Sequence, residues 1–173
     1  MRKSLTSKKE LRRTTSLVKR ALFDIIGERI KGSYFLDLYA GEGGVGMEAL
    51  KRGADHVVFV ESSRKNAETI KKRLSEYGLS ERTEIMVTEV EKFLKSFSPP
   101  EFFDIIFADP PYESGEYDIV IENLPRFKGI KKDTLIFIEH FHKKILPEDI
   151  GSLVLLKRYR YGDTILSFYR RKE

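Results

Sequence analysis

Asp109-Pro110-Pro111-Tyr112 follows directly on the apolar run Phe103-Asp104-Ile105-Ile106-Phe107-Ala108. This pattern delivers an acid, two prolines and an aromatic ring to the carboxyl end of a buried strand, the edge at which open α/β sheets bind ligands. An exocyclic amine on a planar ring is a poor nucleophile, because its lone pair is delocalised into the ring. Two fixed acceptors that take the amine hydrogens can hold the nitrogen and turn its lone pair outward. The Asp109 carboxylate can supply one and the Pro110 main-chain carbonyl the other, and Pro110 and Pro111 restrict the backbone before substrate arrives. Tyr112 offers a face on which a base can stack. A plain Pro-Pro strand terminator accounts for the prolines but leaves the acid and the aromatic ring at that edge as coincidence.

A second strand end carries different chemistry. Leu36-Asp37-Leu38-Tyr39-Ala40-Gly41-Glu42-Gly43-Gly44-Val45-Gly46 reads as a strand, a glycine loop and the start of a helix. Gly41, Gly43 and Gly46 permit a tight turn and close approach of backbone to ligand, with helix amides aimed at the site. Glu61, 20 residues past Gly41 and at the end of the next strand, is placed to accept from ribose hydroxyls. That spacing does not separate a nicotinamide cofactor from S-adenosylmethionine, since both carry a ribose. Asp37 lies inside an apolar strand, where a carboxylate is costly unless hydrogen-bonded or paired. It can accept from the loop amides or from the ammonium of a methionine-like tail, and a purely structural brace is the alternative. A dinucleotide site usually has only apolar residues at that position. Glu89-Val90 follows the third strand, where an acceptor beside an apolar residue suits an adenine amino group and ring face; an ordinary helix start is the alternative. A nucleotide-like cofactor at one strand tip and a planar amine at its neighbour together imply methyl transfer.

The elements that must position these residues are legible as periodicity. Helical spacing predicts helices over Ser16–Ile30, Val45–Arg52, Arg64–Tyr77, Val90–Phe97 and Tyr117–Leu124, with Thr15 or Ser16 capping the first. Apolar runs predict seven strands: Tyr34–Tyr39, His56–Glu61, Glu84–Thr88, Phe103–Ala108, Thr134–Glu139, Leu153–Tyr159 and Thr164–Tyr169. Tyr161-Gly162-Asp163 signals a tight turn, so the last two strands should form an antiparallel hairpin. The expected fold is α/β, a mostly parallel sheet with helices on both faces. No repeat or linker divides residues 1–173, so one domain is expected, with residues 1–14 as a basic arm.

Composition narrows the function class. Of 173 residues, 40% are apolar and 34% charged, as in a soluble globular domain large enough for a real core. No apolar run approaches a membrane span and no secretory signal is present, which gives a cytoplasmic expectation. The chain has no cysteine, so disulfides, thiolate metal sites and a cysteine nucleophile are excluded. His56, His140 and His142 lack ligand spacing, so no metal is expected; His140, after the fifth strand, reads as a surface or strand-end histidine, with lining the pocket as the alternative. Glutamine is absent and Lys, Arg and Glu abound, a bias found in heat-adapted proteins. The net charge is +5, concentrated at both ends. Arg2, Lys3, Lys8, Lys9, Arg12, Arg13, Lys19 and Arg20 face the single acid Glu10, and Lys157, Arg158, Arg160, Arg170, Arg171 and Lys172 form a second group. Such clusters attract a polyanion.

On these motifs the chain resembles the RsmD family, bacterial methyltransferases that modify guanine N2 in small-subunit ribosomal RNA. The resemblance runs from Arg12 to Tyr169. Arg12 to Phe23 is similar to the family's leading helix, Asp37 to Leu50 to its cofactor loop, Asp109-Pro110-Pro111-Tyr112 to its catalytic loop, and Tyr161-Gly162-Asp163-Thr164 to its closing hairpin. Arg13 and Ser16 stand where the family usually has proline and aspartate, and the amino-terminal hairpin is shortened. The resemblance implies a Rossmann-like methyltransferase fold and S-adenosylmethionine as cofactor, held by Asp37, Tyr39, Ala40, Gly41, Gly43, Gly46, Glu61, Glu89, Val90 and Asp109. It implies catalysis by Asp109, Pro110, Pro111 and Tyr112. Arg12, Arg13, Thr14, Lys19 and Tyr112 would contact RNA. The implied partner is 16S rRNA or a small-subunit assembly particle, met by a monomer. The competing readings are a DNA adenine-N6 or cytosine-N4 methyltransferase, which the missing target-recognition domain disfavours, and an RNA-binding assembly module without turnover. A nicotinamide dehydrogenase fits least, because no hydride-transfer acid-base pair is present.

Overall fold

The computed structural model describes residues 16–112 and 115–173. Its centre is a sheet whose strands lie in the order β3-β2-β1-β4-β5-β8-β7-β6. The strands are β1 (Tyr34–Leu38), β2 (His56–Glu61), β3 (Thr83–Val87), β4 (Phe103–Ala108), β5 (Ile130–Phe141), β6 (Asp149–Ile150), β7 (Leu153–Tyr161) and β8 (Thr164–Arg171). Strands β1 to β5 are parallel, and β8, β7 and β6 close one side antiparallel. Eight strands therefore replace the seven expected. The additional one is β6, two residues long, too short to leave an alternation in the sequence.

Helix α1 covers residues 16–26 and gives way to a 3-10 turn over Gly27–Ile30, where Gly27 takes φ 57°. The expected α-helix to Ile30 is thus cut short at a glycine, although Ile30 remains buried. The other helices are α2 (Gly44–Lys51), α3 (Arg64–Glu76), α4 (Val90–Ser96) and α5 (Glu116–Asn123). Alternation along the strands gives two cores. Phe35, Phe59, Ile105 and Phe107 meet α1, α2 and α3 through Leu22, Phe23, Met47, Leu50 and Ile70. Leu36, Leu38, Val58 and Ile106 meet α4 and α5 through Phe93 and Val120.

Strand β5 begins four residues earlier than its apolar run suggests. Lys131, Lys132 and Asp133 interrupt the pattern, and the register against β4 shifts between Phe103 and Ile105. Thr134 secures that irregularity by donating from Oγ1 to the Phe103 carbonyl at 2.6 Å and accepting from the Lys131 N–H at 3.0 Å. The final hairpin is as expected, with Tyr161 paired to Thr164 across Gly162 at φ 60°.

The strand order fixes where a ligand can sit. From β1 the chain proceeds outward through β2 and β3, then crosses to the opposite side of β1 for β4. That reversal between β1 and β4 is a topological switch point, and the crevice outside its carboxyl ends is the expected ligand site of an open α/β sheet. Leu38 pairs with Ala108 there, and the Asp109 N–H reaches the Leu38 carbonyl at 3.4 Å. The glycine loop and the Asp-Pro-Pro-Tyr loop leave the sheet side by side.

Candidate active site

The glycine loop is built by backbone demands. Gly43 holds φ 81° ahead of α2, in the left-handed region that favours glycine. A Cβ on Gly46 would lie 2.3 Å from the Phe59 ring, so the third glycine exists to let α2 lie close against β2. Tyr39, at φ 59°, is the non-glycine residue among those described that takes a positive φ. Its phenol donates to Glu116 Oε2 at 2.8 Å, tying the loop after β1 to the first residue of α5. Burial and this bond both push the phenol pKa up.

Two acids brace the loop. Asp37, 1% exposed, accepts from the Gly46 N–H at 2.9 Å. Burial raises its pKa to about 7 against the opposing Gly46 bond, and the Asp109 and Glu61 charges add to the rise. Glu61 accepts from the Gly41 N–H at 2.6 Å and from the Ser63 N–H at 2.8 Å. It therefore locks the first glycine to the start of α3, where Ser63 caps by accepting from the Asn66 N–H. Each carboxylate oxygen retains a second acceptor site.

A cavity of about 170 Å³ opens at the switch point. Its lining brings together Asp37 of β1, Tyr39 and Ala40 after it and Asp109 after β4, all expected from the sequence as cofactor contacts, with Lys19 of α1, expected instead to contact RNA. Val18 and Leu22 of α1 form its apolar wall. Glu61, Glu89 and Val90 do not line this cavity; Glu89 stands exposed before α4, and Val90 is packed in the α4–α5 core. Pro110 is buried, while Pro111 and Tyr112 are exposed. The Tyr112 ring lies 6.0 Å from that of Phe141. Arg12, Arg13 and Thr14 lie outside the described residues.

The cavity also holds a residue that sequence reasoning missed. Glu139 follows the Ala108–Ile138 pair on β5, which sets it beside Asp109. Its signal was an acid at the carboxyl end of an apolar strand, the same signal that marked Glu61 and Asp109. The neighbouring His140, at the same strand end, neither lines the cavity nor lies on the surface. His140 is wholly buried with Nε2 2.8 Å from Ser167 Oγ and its ring edge-on to Tyr117. Adjacent strand residues face opposite sides of a sheet, so Glu139 faces the cavity and His140 does not.

Electrostatically the site is short of positive charge. Burial pushes the Asp109 carboxyl up, and burial with the Asp109 charge pushes Glu139 up, so the pair titrates between about 6 and about 8. Among the described residues lining the cavity, Lys19 is the sole cation facing Asp37, Asp109 and Glu139. These acids do not converge as a metal-binding group among the described residues. Buried carboxylates held in this state await a cationic or hydrogen-bond-donating ligand.

The family model described as conserved hypothetical protein 95 matches residues 2–170. This chain belongs to the RsmD family. Ribosomal RNA small subunit methyltransferase D of Buchnera aphidicola is 36% identical, covering 80% of this chain and 73% of that protein. YlbH of Bacillus subtilis is 33% identical over 93% of this chain and 88% of its own length. A crystal structure from Haemophilus influenzae superposes on this RsmD-family chain with a TM-score of 0.80 at 32% identity, covering 92% of this chain and 99% of that one. The methyltransferase fold expected from the sequence is thereby established, with eight strands.

Proposed function

We propose that this protein is an S-adenosylmethionine-dependent methyltransferase that modifies the exocyclic N2 amine of a guanine in small-subunit rRNA. One observation carries the reading: Asp109 of the catalytic-type loop and Asp37, Tyr39 and Ala40 of the glycine loop line a single cavity at the switch point. Family membership and the names of the relatives support rRNA as the substrate.

The residues fit the cofactor by charge. A sulfonium and an α-ammonium are both cationic, and on the glycine-loop side the cavity presents Asp37, its carboxyl pushed up to about 7 by burial. S-adenosylmethionine, when bound, supplies an electrophilic methyl group. The chain supplies position and field. Asp37 holds the Gly46 amide and thereby the start of α2. Glu61 holds the Gly41 amide and keeps acceptor capacity for ribose hydroxyls. Asp109 accepts one amine hydrogen and the Pro110 carbonyl the other, so that the nitrogen lone pair points along the line of attack. Tyr112, half-exposed at the rim, stacks on a base turned out of its RNA. Such orientation accounts for up to roughly 7–11 kcal/mol of barrier lowering.

The test is transfer of labelled methyl from S-adenosylmethionine to unmodified rRNA, to assembled small-subunit particles and to duplex DNA, followed by nucleoside analysis. N2-methylguanosine in either RNA substrate is the expected product. Label confined to DNA rejects the substrate, and cofactor binding with no transfer to any of them favours the assembly module.

A further inference from the structure

The grip supplied by Asp109 and Pro110 suits any exocyclic amine, including those of adenine and cytosine. What distinguishes guanine is the atom next to the amine. Guanine presents a ring N1–H beside its N2 amine, two donors in a row. Adenine and cytosine present a bare ring nitrogen beside theirs, an acceptor. A carboxylate has only acceptors when ionised, and donors brought to it by a ligand favour that ionised form, so it matches the guanine edge and, once ionised, repels the other two.

The structure places a second carboxylate beside Asp109. Glu139 lines the same cavity as Asp109, one strand over and next in register after Ala108–Ile138. Tyr112 does not line the cavity itself, but its phenol lies within the electrostatic reach of both acids. Glu139 is 8% exposed, and no hydrogen-bond donor reaches its carboxylate among the described residues. Asp37 has the Gly46 amide and Glu61 has two loop amides. Among the described residues neither Glu139 nor Asp109 receives such a donor, and a buried carboxylate without one is costly to keep unless a ligand completes it.

We propose that Glu139 selects guanine, its carboxylate accepting from the base N1–H while Asp109 and the Pro110 carbonyl hold the N2 amine. This role rests on the guanine-N2 reading above and adds to it the residue that rejects adenine and cytosine. Rejection works by placing a negative charge against the lone pair of the wrong base.

Glu139→Gln tests the role, because the amide swaps one acceptor for a donor that can serve a bare ring nitrogen. The guanosine methylated by the wild-type enzyme is first located in rRNA, and that position is then replaced by adenosine or cytidine. Wild-type enzyme should methylate only the guanosine RNA. E139Q should lose roughly 10- to 100-fold in rate on guanosine, as expected for a lost hydrogen bond to a charged group. Its preference for guanosine over the replaced bases should fall at least tenfold, with the dissociation constant for S-adenosylmethionine unchanged. Glu139→Asp, which keeps the charge, should keep the preference at a reduced rate. Equal loss on all three RNAs, loss of preference in the Asp variant, or weakened cofactor binding with an unchanged base preference would each overturn the assignment; the last would give Glu139 to the cofactor ammonium. Absence of N2-methylguanosine with the wild-type enzyme is a different failure, and it sinks the guanine-N2 reading itself.

Discussion

Strand β4 has an aspartate near each end, and the protein treats them oppositely. Asp104, at the amino-terminal end, accepts from the Tyr34 N–H at 2.8 Å and pairs with Lys131. It borders an open hollow of about 590 Å³ together with Gly32, Asp55, Glu101, Phe102 and Lys131. Asp109, just past the carboxyl end, borders a cavity of about 170 Å³ with two other acids and one lysine. Each space is lined by three acids and one lysine, but Asp104 is paired, whereas no side-chain partner reaches the Asp109 carboxylate among the described residues. Volume alone points to the amino-terminal edge of the sheet; the carboxyls raised by burial lie at the end that the strand order selects.

The sharpest way to break this contrast is to neutralise each acid in turn. Asp109→Ala should lower the single-turnover methylation rate roughly 10²–10³-fold, the effect of losing one preorganised polar contact, with cofactor affinity retained. Asp104→Asn should leave that rate within about twofold of wild type, since it lies at the opposite sheet edge. Equal losses in the two variants would erase the distinction.

Packing gives the next largest effect. Gly46→Ala puts a Cβ against the Phe59 ring and should cost about 1–3 kcal/mol in urea unfolding, as overpacking does. A stability equal to wild type would show that Phe59 yields freely, and the tight fit would then not explain the glycine.

Protonation sharpens the same comparison. Asp109 and Glu139 have native pKa values above the unfolded carboxylate value of about 4. Between those values the native protein binds more protons than the unfolded chain. The stability due to the pair is therefore full below pH about 4 and is lost as pH rises through about 6 to 8. Asp109→Asn should raise Tm relative to wild type by on the order of 2–4 °C at pH 8.5, with the gain shrinking toward pH 5. A gain independent of pH would show that the carboxyl is not held against its preference. At the opposite edge, breaking the partly exposed Asp104–Lys131 pair with Lys131→Met should cost less than about 1 kcal/mol, the smallest of these effects.

How much of this was readable in the sequence depended on whether a residue's role was local. Strands β2 and β4 were bounded as found, because each is a continuous apolar run with clear ends. Asp37 was readable because an acid inside such a run demands a donor, and Gly46 provides it. The start of β5 was not readable, since Lys131 to Asp133 break the pattern while the backbone still pairs. Glu139 was missed because its importance comes from β4, its neighbour in space, and no periodicity along its own strand reports that. Val90 was assigned to a ligand by position alone, and the structure buries it in the core. The left-handed turn at Tyr39 also left no trace, because an aromatic residue rarely adopts it and only the bond to Glu116 reveals what holds it.

The pairing of Leu38 with Ala108 has a mechanical consequence. Neighbouring strands sit about 4.8 Å apart, less than the length of many single side chains. Two loops rooted on adjacent rungs inherit that interval from the ladder beneath them. The gap a methyl group must cross is therefore gauged by main-chain hydrogen bonds, and substitutions on the loops can re-aim the reactants without resetting the ruler.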